Sequence, residues 1–597
     1  MAINIERQDS TRRSGKIITR KFFRYLVPMV MSTIAISLNE FVDSIIVSQV
    51  LGAEAMTLVN MGSPLMLAFA VLYSLFGVGG SILYGKHAGE QNPLQAGKTF
   101  TITFIFTCGV AVLITGIGLA IFKPLCSYLC MEPSLRPDFD PYLRILLFSG
   151  LLIIPLQVVI YFLSALGKPG LGMAVNLTAN GVNLLADYIY MRFFNTGLKG
   201  AAMATFTGYL TGILVVLVAL LIRKVHFPFK RFKLKDMKLL PASLSRGIAP
   251  ATNQLGYCLK ISFCNMLAIM IAGLNGMMVF SLCMQAVSIA SIIIAGIVEA
   301  MLPIASSLQG QRDFNGIKIL LKTVFKVQFL ANLFFVILME VYPQFILFIY
   351  NIPDAYRADA LMGLRIFSIM FVFRGFVVVF MYYFQISNRK VYAFLISVTD
   401  GFAGIIPMAM LTTHFFGITG LWIAFPLVSA VMLVLIIGIN SIVALRKNSK
   451  YHGILLLERE DEKIPTFDAT IKLDNETISR SSKELQEFCE IYIRDDTLPV
   501  LIAVAAEEMS VYSMSMKDQT ELDQLDILVK IYPKEILMDF RSMGKPFDIA
   551  TAHQQGFSNA LMLKKIASSE EYSYLIGLNQ TRIHIGRKRI KEIISES

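Results

Sequence analysis

Charge is what this chain has least of. Only 16% of its 597 residues are Asp, Glu, Lys or Arg, against 55% hydrophobic residues and a mean hydropathy of +0.62. That lies beyond ordinary soluble usage and points to a polytopic membrane protein. Cysteine is sparse and unpatterned: the seven residues fall at irregular spacings that make neither a zinc site nor a disulfide framework. Cys126 and Cys130, four apart at an expected outer edge, are near enough for a local bridge, but packing against neighbours is the simpler reading. The polar leader lacks a signal-peptide cleavage pattern and is expected to stay attached. Loops expected outside, such as GAEA and FFNTG, are nearly free of Lys and Arg. The net charge of +12 therefore does not call for a nucleic-acid partner, because much of it sits in short loops where the positive-inside rule puts it.

What is abundant is long apolar sequence. Runs able to cross a ~30 Å hydrocarbon core fall at 22–50, 58–83, 99–122, 142–165, 170–192, 197–222, 245–272, 277–306, 318–342, 360–385, 390–415 and 416–445. That predicts twelve transmembrane helices in two six-helix lobes, an all-α polytopic membrane protein with a C-terminal soluble α+β domain. Arg12, Arg13, Lys16, Arg20, Lys21 and Arg24 precede the first run, RKVHFPFKRFKLKDMK joins the halves, and Arg389, Lys390, Arg446 and Lys447 follow later ones. Both termini are expected on the cytoplasmic side of the cell (inner) membrane. The expected divisions are 1–222 and 244–445 for the lobes, 223–243 for a basic connector, 446–464 for a charged linker and 465–597 for the soluble domain.

The halves echo each other. VLGAEAMTLVN (50–60) reappears as IAGLNGMMVFS (271–281), pairing Gly52 with Gly273. At nearly the same offset Gly89 pairs with Gly310, and Gly200 with Gly420. Parallel repeats of this kind build many secondary transporters, with substrate bound near the midplane between them.

Acids inside the spans are functional suspects, since one at mid-bilayer costs on the order of 2.5–3.5 kcal/mol on insertion scales. Asp43 lies in span one, with Asn39 and Glu40 on the same helix face. Asn180, Asn183 and Asp187 form a second polar stripe in span five, and Thr205 follows in span six. A carboxylate stripe flanked by amides suits a proton or Na⁺. The asparagines also fit a purely structural role, as interhelical hydrogen-bond donors.

The segments FVDSIIVSQVLGAEAM, NLTANGVNLLADYIY and GLKGAAMAT closely resemble the multidrug and toxic compound extrusion (MATE) family of antiporters, over about 1–445. The resemblance implies that Asp43, Asn183 and Asp187 form the cation or proton site of the N-terminal lobe, with Asn180 and Thr205 close by. It also implies exchange of cytoplasmic cationic or amphipathic compounds for inward-moving H⁺ or Na⁺, with no catalytic residue and no cofactor beyond that ion. The second half departs from the pattern: Glu299 and Asp400 lie in spans eight and eleven, Pro407 replaces the repeat mate of Asp187, and Lys260 and Arg374 appear in spans seven and ten. The two cations either neutralise Glu299 or Asp400, or snorkel to an interface. Thirty methionines suit a pliable cavity or plain helix packing.

After Lys450 the texture changes. KELQEFCEIYI and LIAVAAEEMSVYSM have helical periodicity, while LDILVKIYP and EILMDF read as strands. With FRSMGKPFDIA and EYSYLIGLNQTRIHI, these resemble the GHKL nucleotide-binding domain of the anti-sigma-factor serine-kinase type. Active members carry a Mg²⁺-holding Asn four residues after the Glu (Glu508) and an adenine-reading Asp two before the Gly (Gly544). Here those positions are Tyr512 and Ser542, and the glycine lid is thin around Gly556. A degenerate, non-catalytic regulator or docking module is expected, with a cytoplasmic protein as its candidate partner. Two other readings compete with efflux: a lipid-linked oligosaccharide flippase of the same superfamily, whose cavity would favour Arg over acids, and a membrane signalling protein whose tail binds a regulator.

Overall fold

The computed structural model describes residues 13–51, 53–130, 132–344, 347, 357–446, 449–458, 464–520 and 523–586. Gly52, Arg12, Lys447 and the side chain of Glu40 lie outside the described residues. Two compact units emerge: Phe22–Gly438, and the chain ends, Met1–Lys21 with Ile439–Ser597.

The larger unit is helical. Its first half holds α1 (Lys16–Leu51, from Phe22 on), α2 (Ala53–Tyr73), α3 (Gly79–Gly89), α4 (Pro93–Ala120), α5 (Phe122–Leu129), α6 (Arg136–Ala165), α7 (Pro169–Tyr188) and α8 (Lys199–Leu221). The second half holds α9 (Leu239–Gly310), α10 (Phe314–Val341), α11 (Arg357–Ser368), α12 (Met370–Ile386), α13 (Lys390–Val398), α14 (Ile405–Phe416) and α15 (Ile418–Leu445). Every expected span coincides with helix. Twelve described helices are long and apolar enough to cross a membrane, but one of them, Leu498–Ser515, belongs to the tail, and α7 is not among them. The reason is its composition: Asn176, Asn180, Asn183 and Asp187 are all buried on this one helix. Large apolar side chains stand exposed along α4, α8, α10 and α15, among them Val112, Leu217, Phe334 and Val434. Hydrocarbon, not water, is the solvent such faces require. This is a multi-pass membrane protein.

Repeat-related glycines turn out to be contact points. A Cβ on Gly89 would overlap the carbonyl oxygen of Ser307, and one on Gly310 would overlap that of Lys86, so α3 and the end of α9 meet backbone to backbone. Gly273, with φ 62° and ψ −151°, breaks α9 into two limbs in a conformation that glycine adopts without a Cβ penalty. Cys126 and Cys130 are free thiols buried in an apolar cluster with Phe122 and Phe139, so no bridge joins them.

In the smaller unit five antiparallel strands are ordered β3–β4–β5–β7–β6, namely β3 (Thr466–Lys472), β4 (Gln524–Ile531), β5 (Glu535–Met543), β6 (Ser569–Leu575) and β7 (Leu578–Gly586). Helices α16 (Asn475–Tyr492), α17 (Leu498–Ser515) and α18 (Ser558–Ile566) contribute apolar residues to a common core with this sheet, built on Ile502, Met509, Val529, Met538 and Ile585. The segment expected to be a plain linker contains a small hairpin, β1 (Tyr451–His452) with β2 (Leu457–Glu458), tied by the Asn440 amide donating to the Ile454 carbonyl at 2.8 Å.

The leader, expected to belong with the first lobe, is part of this unit over residues 13–21. Arg13 N–H donates to the Asp468 carbonyl at 3.2 Å, and its guanidinium pairs with Asp526 at 3.3 Å and Asp468 at 3.7 Å. An edge strand offers unpaired backbone groups, and two carboxylates on β3 and β4 supply the charge match.

Candidate functional site

Asp43 on α1 and Asp187 on α7 stand side by side. Asp187 is fully buried, yet neither of its oxygens has a well-formed hydrogen bond, and nor does Oδ1 of Asp43. Nδ2 of Asn183 is a further orphan, as is Oδ1 of Asn39. Buried polar atoms are almost always paired, so these atoms have hydrogen-bonding capacity left for a further partner. Tyr142 on α6 closes it: the ring is buried, close to both carboxyls, and lies where a Cβ on Gly62 would be. At Gly208 α8 approaches so closely that a Cβ would lie 2.8 Å from the Asn183 Cβ. Thr205, one turn earlier, turns its hydroxyl back to the Ala201 carbonyl at 3.1 Å.

A cavity of about 420 Å³ lies apart from this pair, since neither Asp43 nor Asp187 lines it. The connection runs along α7. Asn176 lines the cavity, and its carbonyl accepts the Asn180 amide at 2.8 Å. Asn183 and Asp187 continue the same stripe, so about 16 Å of helix joins cavity to carboxyls. On the cavity side Asn176 also accepts from Gln157 at 3.4 Å.

The second-half residues separate into two places. Asp400 sits in a π-turn, Thr399–Ala403, between α13 and α14. Its carboxylate takes Arg374 Nε at 3.6 Å and the Asn253 amide at 3.2 Å, while its backbone carbonyl takes Lys260 Nζ at 3.0 Å. Both cations thus turn to Asp400 rather than outward. Glu299 is held elsewhere on the cavity wall by the Tyr161 hydroxyl at 3.4 Å. Among the described methionines, Met29 and Met381 line the cavity.

In the tail, Glu508 is fully engaged. One carboxylate oxygen accepts from the Asn559 amide at 2.8 Å and the other from the Ala560 N–H at 2.9 Å, which caps the start of α18. Tyr512 is buried, its ring 5.3 Å from that of Phe547 and 6.0 Å from that of Phe557. Ser542 is buried on β5 opposite Leu525 and Asn579, and Gly544 ends the strand with φ 144°. Beside this region Arg582 forks onto Asp539 at 2.7 and 3.1 Å. Burial pulls the Arg582 guanidinium down, but the Asp539 carboxylate outweighs it and the net shift is upward.

Sequence reasoning brought the span-one and span-five acids together and missed their neighbours. Asn176 carried a signal, four residues before Asn180 in the same stripe. Tyr142, Tyr161 and Asn253 carried none, because each meets its acid across a large sequence separation.

Residues 28–189 match the MatE family model. The chain is 24% identical over 446 residues to the probable multidrug resistance protein YoeA of Bacillus subtilis (strain 168), covering 72% of this chain and 94% of that protein. It is 20% identical over 188 residues to the multidrug export protein MepA of Staphylococcus haemolyticus (strain JCSC1435), covering 32% and 42%. Two solved structures share its fold at 20% identity. One is an outward-facing multidrug resistance MATE family transporter of the MOP superfamily, with TM-score 0.65, covering 72% of this chain and 97% of that one. The other is a MOP superfamily transporter from Pyrococcus furiosus described as having a binding pocket of reverse polarity, with TM-score 0.66, covering 74% and 100%. The membrane part therefore has the MATE fold, and the likenesses support a multidrug transporter rather than an enzyme.

Proposed function

We propose that the protein is a cation-coupled multidrug antiporter of the MATE family, moving amphipathic small molecules out across the cytoplasmic membrane in exchange for H⁺ or Na⁺. Two six-helix lobes would rock about the central cavity, with both termini cytoplasmic. The observation that carries this reading is the Asp43–Asp187 pair, adjacent, with no cationic partner for either carboxyl among the described residues, and joined to the cavity by the α7 stripe. The donor set fits a proton or a hard monovalent cation through three carboxylate oxygens that lack a well-formed hydrogen bond, while the free atom of Asn183 is Nδ2, which can donate to a carboxylate but not ligate a cation. A bound cation would supply charge compensation there. Two adjacent carboxylates repel when both are ionised, so the spacing of α1 and α7 is tied to the charge the pair carries. A lipid-linked oligosaccharide flippase fits less well, because among the described residues Arg374 is the one arginine lining the cavity and it shares that wall with Glu299.

The test is Asp187→Asn, with Asp43→Asn beside it, in proteoliposomes under an imposed H⁺ or Na⁺ gradient. Each variant is expected to insert and fold but to lose gradient-driven export. Wild-type export by a folded Asp187→Asn protein would refute the site.

For the tail we propose a docking module without phosphoryl transfer. Glu508 is committed to α18, and the space beside it holds the Tyr512, Phe547 and Phe557 rings. A Mg²⁺ site does not fit there, since a phenol replaces the amide oxygen that would hold the metal.

A further inference from the structure

The cavity wall is dipolar along one helix. Among the described residues two charged side chains line it, Arg374 on α12 and Glu299 on α9. The guanidinium is located by Ser291 of α9, whose Oγ accepts from Nη1 at 3.2 Å. Glu299 lies eight residues further along the same helix, and Ser291, Ala295, Glu299 and Leu302 all face the cavity. At 1.5 Å per residue the two poles are ~12 Å apart along the axis.

The two poles differ in how their charge is matched. At the Arg374 end one carboxylate, Asp400, faces two cations, Arg374 and the buried Lys260, so that end carries surplus positive charge. Lys260 is further held against the ring of Tyr257, itself a cavity residue, at 5.6 Å. At the other end the partner of Glu299 is a neutral hydroxyl, Tyr161. The wall also offers Tyr73 and Tyr382 as amphipathic surface. A volume of about 420 Å³ is within the range that holds a drug-sized molecule.

Taking the transporter reading as its premise, we infer that this cavity selects amphipathic zwitterions, with an anionic group at Arg374 and a cationic group at Glu299, in preference to simple cations. A guanidinium presents a planar fork matched to carboxylate or phosphate. A ligand with positive charge alone gains at Glu299 and is repelled at Arg374, and an anion meets the converse. Only a molecule with both charges about one cavity length apart is attracted at both ends.

The test uses the full-length protein in nanodiscs and liposomes with three matched probes. These are 4′-(aminomethyl)biphenyl-4-carboxylate (zwitterion), its methyl ester (cation) and its N-acetyl derivative (anion). The wild type is expected to bind the zwitterion about tenfold tighter than either analogue, a ratio that is independent of how much protein is folded. Arg374→Gln should erase the preference over the ester, and Glu299→Gln the preference over the N-acetyl compound. Because Arg374→Gln leaves Asp400 with one cation fewer, Arg374→Gln with Asp400→Asn serves as a charge-balanced second variant and should erase the same preference. Equal or tighter binding of the ester by the wild type, binding of none of the probes, or ratios unchanged in the variants would overturn the inference. Gradient-driven export is measured on the same liposomes. Zwitterion-selective binding without export would sink the transporter reading and leave the selectivity standing, whereas export with no preference would do the reverse.

Discussion

Replacing Gly89 or Gly310 with alanine adds one methyl group to a contact that has no room for it. On Gly89 the new Cβ would overlap the Ser307 carbonyl oxygen, and on Gly310 that of Lys86. The obstruction is backbone on both sides, so no side chain can swing away, and α3 and α9 must separate. Overpacking costs about 1–3 kcal/mol. Gly→Ala in a helix returns about 1 kcal/mol of propensity, leaving a net loss of up to about 2 kcal/mol for each variant. Gly109 and Gly116 on α4 are the controls, because nothing lies within 4 Å of a Cβ built on either. There the same substitution is expected to be neutral or stabilising. Once the first methyl has pushed the helices apart, the second finds space, so the double variant should cost less than the sum, with a coupling of about 0.5–3 kcal/mol. The assay is thermal inactivation of detergent-solubilised protein at one fixed scan rate, followed by size-exclusion recovery, since unfolding of such proteins is often irreversible. Gly89→Ala and Gly310→Ala as harmless as Gly116→Ala, or strictly additive with each other, would refute the close approach.

The tail should bind no Mg–ATP at millimolar nucleotide, and calorimetry on the intact protein checks this; a saturable, Mg²⁺-dependent heat would mean that Glu508 can leave α18. Arg582→Met should destabilise the tail by about 3–5 kcal/mol, because Asp539 is then buried unpaired, while Arg582→Met with Asp539→Leu should recover most of the loss; tryptic susceptibility of the tail reads both. Asp526→Lys should release the leader by placing a cation against Arg13, and faster cleavage at Arg13 or Lys16 is the expected sign.

How much was legible depended on the range of the force involved. The spans follow from the free energy of putting side chains into hydrocarbon, which is summed along the chain, so composition alone located them. The importance of Asp43 and Asp187 was readable for the same reason, since an acid in an apolar run carries its cost wherever it packs. The tail strands β4 and β5 and helices α16 and α17 announced themselves through periodicity, another local property. Harder to read was α7, whose polar stripe lowers its hydropathy because that face is turned inward to other helices.

What the chain could not disclose by itself was partnership. Whether Lys260 and Arg374 snorkel or neutralise was open until both were seen turned to Asp400, 140 and 26 residues away along the chain. Glu508 looked like a remnant of catalysis, and only the placement of α18 made it a helix cap. The polar leader reads as part of the first lobe, whereas the tail unit claims residues 13–21 through Asp468, Asp526 and Asp523. Hydropathy and periodicity act on neighbours in sequence and are written there. Ion pairs, caps and helix approaches act between neighbours in space, and folding alone creates those.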